Sequence, residues 1–239
     1  MADINKPIYD RTKRVLGEEN TKKLAEARIL LFGLGGVGGY VFEALCRLGV
    51  AAIGAVDCDT VNETNLNRQI LATLDNIGEH KCDAAVKRAK SISPATEIVA
   101  IKEFVTAENA AEIIDAFGKC DFIADCIDNV SAKAALIKAA NERGIKIISS
   151  MGTGNKTDPT QLRISDIYKT DTCPLARAMR IKLKKEGVKK CPVLWSSELP
   201  RGNTENENGR NVPGSCAPVP AAAGLFIAAH IMNGLTSAE

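Results

Sequence analysis

Gly33-Leu34-Gly35-Gly36-Val37-Gly38 constrains this chain more than any other stretch, because it joins the apolar run Ile29-Leu30-Leu31-Phe32 to a helical pattern over Gly38 to Leu48. At such a strand-to-helix junction the G-x-G-x-x-G spacing lets backbone N–H groups meet a phosphate at the positive end of a helix, with no side chain in the way. A second apolar run, Ala52 to Val56, closes the motif, so residues 28 to 57 are expected to form a β-α-β nucleotide-binding unit. The ligand stays open at this point. Dinucleotide oxidoreductases carry the same fingerprint, and Asp57, at the end of the second run, suits the ribose hydroxyls of NAD and ATP equally.

Further apolar runs at Glu97 to Ile101, Phe122 to Ala124 and Ile145 to Ile148 are separated by helical patterns at Lys81 to Ser91, Ala107 to Phe117 and Ser131 to Arg143. Continuous rather than alternating apolar runs suit strands buried on both faces. The economical fold is α/β: a Rossmann-like, doubly wound, mostly parallel sheet. After Met151 the pattern changes. Turn signals at Gly152 to Asn155 and Asp158-Pro159 precede an alternating strand at Gln161 to Ile167 and a basic amphipathic helix at Leu175 to Gly187. Arg201 to Ser215 has no periodicity and reads as a mobile loop; Ala217 to Leu235 reads as a buried C-terminal helix. The expected organisation is a single domain, with a nucleotide-binding core at 8–152 and an appended antiparallel strand and helix region at 153–239.

The composition, 45% hydrophobic and 25% charged over 239 residues, is that of an ordinary globular chain, and a net charge of +2 gives no general argument for polyanion binding. The distribution is uneven. Lys156 to Arg201 holds eleven basic residues against five acidic, a local net of +6, so the remainder carries −4. No apolar segment follows the N-terminal basic residues, which leads to an expectation of cytoplasmic residence, and Pro218, Pro220, His230 and Asn233 argue against a membrane span for the last apolar stretch. The eight cysteines form no C-x-x-C pair and read as reduced, structural thiols.

Downstream of Asp57, the cations Arg68 and Lys81 exceed what a diphosphate already held by amides requires, and they suit a triphosphate attacked at its α-phosphorus. The bland alternative pairs them with Asp75 or Glu79 at the surface. Asp128 follows the Phe122 strand at the carboxyl edge, where it can hold Mg²⁺ against phosphates, cap the helix beginning near Ser131, or do both. His80 and His230 are candidate bases only by residue type, and structural roles are preferred for both.

Taken in order, Tyr9-Asp10-Arg11, the glycine turn, Asp57-x-Asp59, Asn65-Leu66-x-Arg68-Gln69, Lys81 and Asp125-Cys126-x-Asp128-Asn129 resemble the adenylating superfamily of ubiquitin-activating enzymes and molybdopterin and thiamine adenylyltransferases. The resemblance implies ATP and Mg²⁺ as ligands. It places Gly33, Gly35, Gly36, Gly38, Asp57, Asp59 and Asn129 in the nucleotide site, Asn65, Arg68 and Lys81 on the phosphates, and Asp128 near the metal. It also implies a homodimer in which Arg11 reaches the neighbouring subunit's nucleotide.

Zinc-bearing relatives carry two C-x-x-C pairs, whereas this chain has isolated Cys173, Cys191 and Cys216 in that half, so no zinc is expected. Gly152 to Thr160, Asp166 to Thr170 and Pro174 to Arg177 are instead similar to the branch of tRNA threonylcarbamoyladenosine dehydratases. That branch implies a tRNA substrate, and a sulfur-transfer or redox protein is the further partner it raises. The basic segment then has a use: Lys156, Arg163, Arg177, Arg180 and Lys184 are the expected contacts to tRNA phosphates. The expected chemistry is adenylation of the threonyl carboxylate, then intramolecular ring closure that expels AMP. A route through a Cys173 or Cys191 thioester, adenylation of a small carrier protein's C-terminal glycine, and NAD binding are the competing readings.

Overall fold

A computed structural model describes residues 4, 6–202, 204–207 and 210–237, with side chains described outside 203–212. Seven strands form one sheet in the order β3-β2-β1-β4-β5-β7-β6. The strands are β1 (Arg28–Phe32), β2 (Ala52–Val56), β3 (Glu97–Ile101), β4 (Phe122–Asp125), β5 (Lys146–Ser150), β6 (Leu162–Asp166) and β7 (Pro192–Ser196). All neighbours run parallel except β6 and β7, which are antiparallel. The doubly wound parallel sheet is therefore as the continuous apolar runs predict, and β6 of the antiparallel extension falls on the alternating run at Gln161 to Ile167. The extension is hydrogen-bonded to the rest, since Ser149 and Ser150 of β5 pair with Val193 and Leu194 of β7.

The helices are α1 (Asp10–Glu26), α2 (Gly38–Leu48), α3 (Lys81–Ile92), α4 (Ala110–Phe117), α5 (Val130–Glu142), α6 (Pro174–Lys185) and α7 (Pro218–Thr236). Two apolar cores lie on opposite faces of the sheet. One face buries Ile113, Phe117, Leu136, Ile137, Met179 and Leu183 of α4, α5 and α6. The other buries Val41, Phe42 and Leu45 of α2, Cys82 and Ala85 of α3, and Val219, Ile227 and Ile231 of α7. By length and composition α7 is apolar enough to cross a bilayer; its Val219, Ala223, Ile227 and Ile231 are buried on the sheet side, while Leu225 and Phe226 are exposed.

Three features depart from the sequence reading. Arg201 to Ser215 is not an irregular loop: β8 (Thr204–Glu207) and β9 (Arg210–Pro213) pair in a separate antiparallel hairpin. Helix α1 had no apolar period to reveal it, for only Thr21, Leu24 and Ala25 are buried, and Gly17 at φ 80° breaks it into two pieces. Strand β7 is a five-residue run opened by a proline, too short to stand out beside the basic helix before it.

Candidate active site

The sheet order reverses between β1 and β4, and a cleft of about 660 Å³ opens there at the carboxyl ends of β1, β2 and β4, the position at which open α/β sheets take ligands. It is lined by Gly33, Gly35, Gly36, Asp57, Asp59, Asn65, Arg68, Lys81, Asp128 and Asn129, all expected there from the sequence, by Gln69, which the sequence named only as part of a motif, and by Cys58, Glu103 and Phe104, which it did not name. Phe104 is 62% exposed and offers an aromatic face at the mouth. The signal for it was its place just beyond an expected strand, at the same sheet edge as the other ligand-facing loops.

Within the glycine turn, a Cβ on Gly38 would stand 1.8 Å from the Gly33 carbonyl oxygen, so packing of the turn alone demands glycine there. Gly35 differs: its Cβ would meet nothing nearer than the Gln69 amide at 3.9 Å. The fold leaves room at Gly35, and that room faces the cleft. Arg68 lies against the turn, its Cγ 3.5 Å from where a Gly36 Cβ would be. One guanidinium nitrogen donates to the Thr64 carbonyl (2.7 Å) and to Asn67 Oδ1 (2.8 Å). Asn67 in turn donates to the Ser215 carbonyl, which ties this loop to the segment leading into α7.

Asp57 is fixed by the Leu34 N–H on one oxygen (2.7 Å) and the Asp59 N–H on the other (2.8 Å). Lys81, 5% exposed at the start of α3, sets its ammonium 2.7 Å from Asp59 and 3.9 Å from Asp57. Burial works against the charge on Asp59, but the Lys81 hydrogen bond and charge outweigh it and hold the carboxyl below its usual range. The surface pairing of Arg68 and Lys81 with Asp75 or Glu79 is absent among the described residues; Glu79 pairs with Lys87 instead. Asn65 Oδ1 accepts from the Asn62 N–H in the capping box of a 3₁₀ turn.

Helix α5 is capped by Asn129, whose Oδ1 accepts from the Ala132 N–H at 3.0 Å, and not by Asp128. The capping duty falls one residue later than the sequence alternative put it, and Asp128 is left exposed with no hydrogen-bond or ion-pair partner among the described residues. The donor set fits a divalent cation accompanied by phosphates. The cleft lining holds four carboxylates (Asp57, Asp59, Glu103, Asp128) and two cations (Arg68, Lys81), net −2, so a polyphosphate needs an added positive charge to settle in it.

Arg11 is exposed near the start of α1 and is not among the residues lining this cleft. Of the expected tRNA contacts, Arg163, Arg177 and Lys184 are exposed. Lys156 is not: it is 3% exposed, and its ammonium donates to the carbonyls of Ser196 and Glu198 at 3.1 Å each. A buried ammonium spent on backbone carbonyls has no charge to offer a phosphate, and the sequence placement of Lys156 on that surface is corrected. Arg180 is half-buried and donates to the carbonyl and hydroxyl of Thr170, so it too serves first as a tie within the fold. Cys173 and Cys191 are each 1% exposed, and burial pushes the Cys191 thiol up to about 12, which keeps it protonated and unsuited to nucleophilic attack. Neither His80 nor His230 lines the cleft.

The model of the ThiF family matches residues 9–239. The chain belongs to the ThiF family. Among its relatives, the tRNA threonylcarbamoyladenosine dehydratase of Bacillus subtilis is 39% identical over 240 residues, covering 95% of this chain and 94% of that one. The Escherichia coli enzyme of the same name is 37% identical over 186 residues, covering 78% and 69%. A crystal structure of the Escherichia coli dehydratase in complex with ATP superposes with a TM-score of 0.89 at 32% identity, covering 98% of this chain and 96% of that chain. A relative of another name, the Lodderomyces elongisporus adenylyltransferase and sulfurtransferase, is 35% identical over 131 residues, but the match covers only 55% of this chain and 28% of that protein.

Proposed function

We propose that this protein is an ATP-dependent tRNA threonylcarbamoyladenosine dehydratase. The observation that carries the reading is likeness over nearly the whole chain, in sequence and in fold, to dehydratases of that name, one of them solved with ATP. The carrier-protein alternative has support over about half of the chain, and no C-x-x-C pair stands in the sequence.

The chain's own residues divide the work of adenylation. The amides of the turn from Gly33 to Gly38 and the start of α2 receive phosphate, and Asp57, oriented by two backbone N–H groups, accepts from ribose hydroxyls. Arg68 and Lys81 stand where negative charge grows as the substrate carboxylate bonds to the α-phosphorus and the bond to pyrophosphate breaks. Asp128, an unengaged carboxylate just beyond the end of β4, is assigned to Mg²⁺, which when bound would neutralise phosphate charge; the net −2 of the lining supports that assignment. A nucleophile of the same threonylcarbamoyl group then attacks the acyl carbon of the adenylate and closes the ring, the acyl–oxygen bond to AMP breaks and AMP leaves, with net loss of water from the substrate. An intramolecular attack has a high effective concentration and calls for no enzyme thiol, in keeping with the buried Cys191.

Exposed Arg163, Arg177 and Lys184 are the proposed tRNA contacts, with Lys169, Lys185, Lys189 and Lys190 exposed beside them. A homodimer is part of the proposal, supported by exposed Ile8 in the 3₁₀ turn Pro7–Tyr9, Val15 on α1, and Leu225 and Phe226 on α7, and it gives Arg11 a site to serve in the partner subunit. Cytoplasmic residence, where ATP and tRNA are met, belongs to the same reading.

The test is mass spectrometry of tRNA nucleosides after incubation with the full chain and ATP. Loss of one water from threonylcarbamoyladenosine, with AMP and pyrophosphate formed only on modified tRNA, is expected; turnover on unmodified tRNA would overturn the assignment. Arg68→Ala should fold normally and lower turnover at least about 100-fold, as removal of a charge-stabilising donor does.

A further inference from the structure

Directly beneath the cleft lies a buried polar cluster that the adenylation scheme does not use. Asp125, the last residue of β4, and Lys133, in the second turn of α5, are both 0% exposed, and their charged groups are 3.0 Å apart. Ser149, the cross-strand neighbour of Asp125 on β5, donates its hydroxyl to the same carboxylate oxygen at 2.6 Å. The other carboxylate oxygen accepts from the Ile127 N–H at 3.3 Å. The Lys133 ammonium also donates to the Ile127 carbonyl at 3.0 Å.

Ile127 is therefore held at both ends of its backbone, by Asp125 on its N–H and by Lys133 on its carbonyl. Its carbonyl belongs to the peptide that enters Asp128. On the other side of the loop, the Cys126 carbonyl oxygen is 2.9 Å from where a Cβ of Gly33 would stand, so the same loop also braces the glycine turn. A fully buried ion pair adds little to stability over an apolar pair of the same volume. What this one supplies is geometry: two buried groups, Asp125 steadied by Ser149 and Lys133, grip one residue of a loop that lines the cleft.

We propose that Lys133 is a positioning residue for adenylation, holding the Cys126–Asn129 loop through the Ile127 carbonyl so that Asp128 faces the triphosphate; this rests on the adenylation reading above. The single change Lys133→Met would strand the Asp125 charge, so the decisive variant is the double change Asp125→Asn with Lys133→Met, which removes both charges together. An ion pair of purely structural use predicts a double variant with wild-type turnover. The proposal predicts a folded double variant whose kcat falls at least about tenfold, in the range expected when a reacting group is displaced by a fraction of an ångström. It also predicts amide hydrogen exchange within 126–129 faster by at least about tenfold, with β1, β4 and β5 unchanged.

Wild-type turnover, or unchanged exchange in 126–129, overturns the proposal. Arg68→Ala, assayed in parallel, separates this from the adenylation reading: full turnover there sinks the adenylation reading, whereas an inactive Arg68→Ala beside a fully active double variant sinks only the clamp. Should the double variant fail to fold, exchange in the unaltered chain decides. The Ile127 amide must then exchange with the slow core set, and exchange at the rate of exposed loops overturns the proposal.

Discussion

Gly35 and Gly38 sit in one turn and are glycine for different physical reasons. At Gly38 any side chain collides with the turn itself, whereas at Gly35 the protein has room and only a ligand would object. Gly35→Ala should accordingly keep its melting temperature and bind ATP roughly tenfold or more weakly by calorimetry, about 1.4 kcal/mol; unchanged affinity would remove Gly35 from the phosphate cradle. Both positions were legible in the sequence because spacing alone marks them. Arg68 and Lys81 were legible as cations, but their partners were not: Lys81 reaches back to Asp59 and Asp57 across the end of a strand, a relation with no sequence period. Lys133 was invisible for a related reason. It shares its helix with one other lysine, Lys138, and only burial distinguishes it.

Among the elements, α6 shows how far a charge run can be read. Counting put Lys156 through Lys184 on one surface, and the fold sorts them, leaving Arg177 and Lys184 exposed, Arg180 tied to Thr170 and Lys156 inside. Two opposite outcomes follow. Arg177→Ala with Lys184→Ala should reduce the salt dependence of tRNA binding, lowering the log–log slope by about 2 and leaving the fold intact. Lys156→Met should leave that slope alone and cost about 2 kcal/mol of stability, because it strands buried carbonyls. The β8–β9 hairpin had a readable signal that composition masked: Asn-Gly stands in the sequence between the paired Glu207 and Arg210.

Helices α2 and α3 are joined by Glu43, 6% exposed, whose carboxylate accepts from Arg47 and from two nitrogens of Arg88. Burial opposes its charge, but the two guanidinium groups prevail and hold the carboxyl below the ordinary 4.5. A depressed carboxylate contributes stability that is complete above that value and lost as pH falls through the lower one. Glu43→Gln should thus be less stable than the wild type at neutral pH, with the difference shrinking below about pH 4.5 in thermal melts; a difference that is constant with pH would exclude the ionised contact.

At the scale of the whole molecule the parallel sheet was the most legible feature, since strands buried on both faces write themselves as continuous apolar runs. The weakly amphipathic α1 was the least legible. Its exposed Arg11 bears on assembly. If Arg11 completes the partner's site, mixing inactive Arg11→Ala with inactive Arg68→Ala should restore about a quarter of wild-type turnover, because roughly half of randomly assembled dimers are hybrids with one intact site. No recovery on mixing would place Arg11 outside the shared site.

The acidic lining of the cleft has a consequence for traffic between two polyanions that must be handled at once. With net −2 around the cleft and Arg163, Lys169, Arg177, Lys184, Lys185, Lys189 and Lys190 exposed in the segment from Lys156 to Arg201, the molecule is electrically zoned. Under the proposed function, a long nucleic-acid backbone would be drawn to the basic zone and turned away from the cleft, while a nucleotide accompanied by its cation would be admitted there. The large substrate would thereby be kept from competing with the small one for the same pocket.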